Sequence, residues 1–173
     1  MRLREAVVEV EQALRVDPTC GQAFTMKALV ELSLRDNEAA FSDATRAVEL
    51  DRNNALSFLA LATAHNARGD FAEAERVARE ALRLQPTLWQ ARLELAKGLY
   101  GREEMLDALD ELEMVHIDFA DVHLVRGNIL TRLDRRREAA SEFTIFLRQA
   151  PNDPRAEQIR RIIGIAQSPD ALF

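Results

Sequence analysis

Alanine returns at one phase of this chain with a 34-residue period: Ala6, Ala40, Ala74 and Ala108, then Ala139 after a shorter step of 31. Two more series keep the same steps. Ala13, Ala47 and Ala81 are followed by Val115 and Phe146, and Ala28, Ala62 and Ala96 by Gly127. Three series in one register restrict the chain to a tandem of small supersecondary units, each too small to bury its apolar side except against its neighbours.

Small residues at fixed places are what closely crossing helices need, because a larger side chain there would overpack the contact. Between them lie apolar residues at helical spacing, such as Phe58, Leu61 and Ala62, then Phe71, Ala74, Ala78, Ala81 and Leu82. Pro18, Pro86 and Pro151 recur where each second helix must stop, with Arg52 in the corresponding place of another unit. Arg68-Gly69-Asp70 and Asp51-Arg52-Asn53-Asn54 read as short polar turns that bring successive helices back antiparallel. With 47% hydrophobic and 30% charged residues, six glycines and five prolines, the chain fits one soluble all-helical domain.

The stretch Ala55 to Leu88, with Ala62, Gly69-Asp70, Phe71, Ala74, Ala81 and Pro86, resembles a tetratricopeptide repeat from end to end. The resemblance implies an all-α fold, a right-handed α-α superhelix of about ten antiparallel helices. It divides the chain into residues 1–20 (the second helix of a truncated repeat), repeats at 21–54, 55–88, 89–119 and 120–153, and a capping helix and tail at 154–173. The unit 89–119 is short, with 31 residues, and lacks the Asp-Pro turn before Phe119. Lys27 and Glu31 fall where the family places buried apolar residues, which makes the first full repeat irregular.

Arg2 to Val16 aligns with a second helix whose usual first helix is missing. The expectation is that the sequence is a fragment of a longer bacterial repeat protein, or that Leu3, Ala6, Val7 and Val10 find cover elsewhere, for example in a dimer. At the other end Pro154 can start a helix with Ala156, Ile159, Ile162, Ile163 and Ala166 on one stripe and Arg155, Glu157, Arg160 and Arg161 on the other, as a solubilising cap requires.

In proteins of this family the first helix of each pair lines a concave groove. By alignment the groove would comprise Gln22, Thr25 and Leu29; Leu56, Leu59, Thr63 and Asn66; Gln90, Leu93, Lys97 and Tyr100; and Asp121, Leu124, Asn128 and Arg132. Leu56, Leu59, Leu93 and Leu124 would form a ridge flanked by amides and hydroxyls able to bond an extended backbone, or some of them would pack between repeats. Heat-shock cochaperones of the family grip a terminal carboxylate with Lys, Asn and Arg. The aligned residues here are Thr25, Leu29, Ala60, Gln90 and Glu94, or, taking the last three repeats, Leu59, Thr63, Glu94, Asp121 and Val125. That clamp is absent, since a carboxylate would meet acidic groups in place of donors.

Other chemistries find little support. A net charge of -6 and a pI near 5.2 oppose binding to a phosphate backbone. No segment has the apolar length of a membrane span, and the lone Cys20 cannot form an internal disulfide. His116, Asp118, Asp121 and His123 could converge on a metal, but Asp121 also suits a helix start and His123 a packing position, and the bland reading is preferred. Glu103-Glu104, Asp110-Glu111 and the run Arg135-Arg136-Arg137 read as solvated surface, and Trp89 as a packing residue. No nucleophile, acid-base pair or phosphate loop points to a reaction or a cofactor.

The sequence therefore predicts a non-enzymatic scaffold that holds a peptide or helix of another protein. A self-associating module of a secretion or envelope complex, with a homodimer through the N-terminal helix, and the regulatory arm of a larger enzyme are the alternatives. Cytoplasm and periplasm both fit.

Overall fold

A computed structural model describes residues 2–115 and 118–166. His116, the 167–173 tail and the side chains of Leu3 and Ala166 lie outside the described residues. Among those residues the chain is all-α, with ten helices and no strand. They are α1 (Arg2–Val16), α2 (Gly21–Ser33), α3 (Asn37–Leu50), α4 (Ala55–Arg68), α5 (Phe71–Leu84), α6 (Trp89–Gly101), α7 (Met105–Glu113), α8 (Ala120–Arg132), α9 (Arg136–Gln149) and α10 (Ala156–Ala166). No helix of the described residues is long and apolar enough to cross a membrane.

The helices start and stop where local chemistry dictates. Asp36 caps α3 by accepting from the Ala39 amide at 3.2 Å, and Asn54 caps α4 by accepting from the Leu56 amide at 3.0 Å. Pro18, Pro86 and Pro151 lie just past the ends of α1, α5 and α9. The turns after α2, α4, α6 and α8 each pass through one left-handed residue, at Arg35 (φ 61°), Gly69 (83°), Glu103 (65°) and Asp134 (57°). These four positions are equivalent in the repeat, yet only Gly69 is the residue that conformation favours.

The chain packs as two compact units, residues 1–102 and 103–173. In the first, α2 packs on α3, α4 on α5, and the first helices α2, α4 and α6 follow one another side by side. The recurring small residues lie in its core: Ala28, Ala62, Ala96, Ala40, Ala74, Ala47 and Ala81 are all fully buried. Ala55, Leu59, Ala81, Leu88 and Ala91 form a buried cluster against which Phe58 packs. On α1 Val10 is buried, but Ala13, in the place of Ala47 and Ala81, is exposed, and Val8 and Val16 are 61% and 84% exposed.

In the second unit, α7 packs on α8, α8 on α9 and α9 on α10. The shortening of the 31-residue segment falls in α7, which has nine residues where α3, α5 and α9 have 14. Phe143 and Phe146 are fully buried and supply the bulk of this core. On α10, Ala156 and Ile159 are buried and Glu157, Arg160 and Arg161 exposed, while Arg155 reaches back to Asp121 at 2.9 Å.

Candidate functional site

The residues assigned to the groove fall into three physical groups. In the first unit, Gln22 on α2 is exposed and Leu56 on α4 is 43% exposed, with Gln90 on α6 half-buried. These three stand at the same place near the start of successive first helices. Leu29, Thr63, Asn66, Lys97 and Tyr100 are half-buried. Leu59, Leu93 and Thr25 are buried, at 8%, 6% and 2% exposure, so the two leucines are chiefly packing residues and offer a guest little surface. In the second unit α8 carries Asp121 and Arg132 exposed, Asn128 half-buried and Leu124 buried. Of the four ridge leucines, Leu56 alone is exposed.

Polar links hold the first helices of the first unit in register. The Thr25 and Ser57 hydroxyls meet at 2.7 Å between α2 and α4, both buried. Asn66 of α4 donates through Nδ2 to the backbone oxygen and to the carboxylate of Glu94 on α6, each at 2.9 Å, and Lys97 Nζ donates to the other Glu94 oxygen at 2.7 Å. Glu94 is only 6% exposed, and these donors satisfy its buried carboxylate oxygens. From the sequence, Asn66 and Lys97 are groove positions and Glu94 an acidic residue in place of a clamp donor, but the link among the three and the role of Ser57 are not legible there. The signal in the sequence is a polar residue at a place otherwise apolar: Glu94 corresponds to Met26, Ala60 and Val125, and Ser57 to Ala23, Ala91 and Val122.

Lys27 and Glu31, the irregular pair of the first full repeat, meet Asp43 of α3. Lys27 Nζ lies 2.5 Å from Asp43 and 3.5 Å from Glu31. Burial, then the neighbouring Asp43 charge, push the Glu31 carboxyl up to about 7, and its Oε2 is buried without a hydrogen bond. Hydrogen bonding to Asp43 raises Lys27. On α5, burial opposes ionisation of Glu75, but hydrogen bonds from Arg102 and Arg79 outweigh it and hold the carboxyl below its usual range.

His123 is 9% exposed in the second unit, and both of its ring nitrogens face carboxylates, Nδ1 at 2.6 Å from Glu142 and Nε2 at 2.5 Å from Asp118. The His123 bond, with a second from Gln149 at 2.6 Å, holds Asp118 below the ordinary carboxylate range. Asp121, the remaining described member of the suggested metal set, is engaged by Arg155. Among the described residues no group of three or more His, Cys, Asp or Glu side chains is arranged so that it could hold a metal ion. In the arginine run Arg135 pairs with Glu138 at 2.5 Å and Arg136 with Asp134 at 2.8 Å. Trp89 is half-buried at the start of α6.

Paired antiparallel helices with small residues at the crossings define a class, the helical-hairpin repeat protein, and comparison with known proteins identifies the type. Residues 55–98 match the tetratricopeptide repeat model. That stretch is a tetratricopeptide repeat, and the fold of the chain is that of solved tetratricopeptide-repeat proteins. A thermophilic tetratricopeptide-repeat protein of Thermus thermophilus is similar over 95% of this chain and 90% of its own, with a TM-score of 0.77 and 20% identity. PilF of Pseudomonas aeruginosa is similar over 95% of this chain and 81% of its own (TM-score 0.70, 17% identity). YrrB, described as a tetratricopeptide-repeat protein with an unusual peptide-binding site, is similar over 91% and 81% (TM-score 0.63, 19% identity). No curated protein matches the chain. The fold is one that generally mediates protein-protein interaction and is generally non-catalytic.

Proposed function

We propose that this protein is a non-enzymatic scaffold that holds a segment of a partner protein against its first helices. In the first unit the strip runs over Gln22, Leu56 and Gln90 with Thr63, Asn66, Lys97 and Tyr100 behind them; in the second, over Asp121, Asn128 and Arg132 of α8. The observation that supports it most is the lateral tie of α2, α4 and α6 by Thr25–Ser57 and Asn66–Glu94. Buried polar links of that kind fix a surface in advance of binding and reduce the ordering cost of capture. Amides beside one exposed leucine suit an extended segment with unpaired backbone groups and an apolar anchor. YrrB, whose fold is similar, is a tetratricopeptide-repeat protein with a peptide-binding site.

The test is capture of partners by the intact chain and by the double variant Leu56→Arg/Gln90→Arg. Loss of the partner from the variant, with helical signal unchanged, is the expected result; undiminished capture refutes the strip. Charged residues at Leu59 or Leu93 do not serve, because both side chains are buried and the variants would lose stability before binding.

A second reading, self-association through α1, draws on one observation: Ala13 stands exposed where the equivalent Ala47 and Ala81 are fully covered, with Val8 and Val16 exposed on the same helix. A concentration series in light scattering decides it, since a chain that stays monomeric throughout excludes a homodimer.

A further inference from the structure

Residues 103–114 contain six carboxylates and no lysine or arginine. That equals the formal charge of the whole chain, -6, so the remaining residues sum to zero. This charge lies on and beside α7. The helix buries Ala108, Leu109 and Leu112 and turns outward Leu106, Asp107, Asp110 and Glu113, with Met114 just beyond its end. Leu106 is 66% exposed and Met114 47%. Leu106, Asp110 and Glu113 recur at intervals of four and three residues, so they share one face.

Two features set this face apart from ordinary solvated surface. On α5 Glu73 pairs with Arg76 and Glu80 with Arg83, and on α3 Glu49 pairs with Arg46, all within one helix. α7 carries no basic residue in its last turn, and Glu113 stands at the negative end of its dipole. Next to Glu113, where α7 is five residues shorter than α9, lies a cavity of about 430 Å³ lined also by Leu109, Glu138 and Glu142. Arg126 and Arg135 line it too, but each already faces a carboxylate, Glu142 and Glu138 respectively.

We propose that the outer face of α7 is a docking surface for a basic amphipathic segment of a partner protein. Two apolar side chains of that segment cover Leu106 and Met114, which are separated by about two helical turns or ~12 Å. Lysine or arginine residues on either side pair with Asp107, Asp110 and Glu113, and the one nearest Glu113 enters the cavity. Charge complementarity selects the partner: α7 supplies apolar area and anions and carries no cation of its own, and Arg135 beside Glu113 is already paired with Glu138, so further cations come from the guest.

The experiment is a fluorescence-anisotropy titration of the full chain with a labelled helical peptide of leucine, alanine and arginine whose leucines match that spacing. A mirror peptide with glutamate for arginine serves as control. The proposal expects the arginine peptide to bind, the mirror peptide not to, and the affinity to fall as salt is raised. The triple variant Asp107→Asn/Asp110→Asn/Glu113→Gln should lose about tenfold or more in affinity, and Leu106→Ser severalfold. Glu5→Gln/Glu9→Gln/Glu11→Gln removes the same charge from exposed places on α1 and should bind as the unaltered chain does. Equal weakening by the two triple variants would mean charge attraction without a site and would overturn the proposal. So would an undiminished Leu106→Ser variant, or concentration-dependent self-association abolished by the α7 triple variant, which would make a second copy the occupant.

Discussion

The ring of Phe143 fills the space in which a Cβ on Gly127 would stand, with its Cε1 atom only 2.5 Å from that position. At the equivalent places of the first two full repeats the pairs are Ala28 with Ala44 and Ala62 with Ala78, all fully buried. In the unit of α8 and α9 the contact is filled from one side, with no side chain on α8 and a whole ring on α9. Gly127→Ala should therefore destabilise the protein by about 1 to 3 kcal/mol through overpacking. Adding Phe143→Leu, which makes room for the methyl group, should recover part of the loss, and urea unfolding of the two variants measures both effects.

Glu31 gives stability a pH dependence of known sign. Its carboxyl is raised from an ordinary 4.5 to about 7 in the folded chain, so the folded state holds the proton more tightly than the unfolded state. Its favourable contribution is complete below about 4.5 and is lost as the pH rises to about 7. Glu31→Gln should be more stable than the unaltered chain at pH 8, with that advantage shrinking toward pH 4. Equal differences in thermal midpoint at the two pH values would show that Glu31 does not titrate as described.

Thr25 and Ser57 tie α2 to α4 through a buried hydroxyl pair. Thr25→Val leaves the Ser57 hydroxyl without that partner and should cost about 1 to 2 kcal/mol. The double variant Thr25→Val/Ser57→Ala should cost less than the sum of the singles, because no orphaned hydroxyl remains. Strict additivity in a double-mutant cycle would mean that the two hydroxyls do not interact.

The hairpin turns make a paired prediction. Gly69→Ala puts a side chain into a left-handed conformation and should cost about 1 kcal/mol. Arg35→Gly relieves the same strain one hairpin earlier, offset by the greater freedom of glycine in the unfolded chain, so its net effect should be smaller and of opposite sign. Denaturation midpoints of the two variants moving in the same direction would contradict this account.

Repeat period, helical class and the positions of close contact were legible because each rests on a local rule. Ala74 must be small wherever two helices cross, and Pro86 must stop α5 whatever surrounds it. The groove was legible only as a set of aligned positions. Alternation of leucine with amides could not separate Leu56, which is exposed, from Leu59, three residues on and buried against Ala55, Ala81 and Ala91. Three residues turn a helix by about 300°, so the two leucines point differently, and only the neighbouring helices decide which is covered.

Charge pairing was further from reach. Lys27 and Asp43 are 16 residues apart, Asn66 and Glu94 are 28, and neither pair follows from local spacing. The sequence by itself determined the helical hairpin and its repetition, since backbone propensity, turn chemistry and small-residue spacing act over a few residues. Tertiary structure decided which polar groups are buried together and which face of α7 stays uncovered, because burial and its electrostatic consequences depend on side chains brought close by packing, from parts of the chain that have no proximity in sequence.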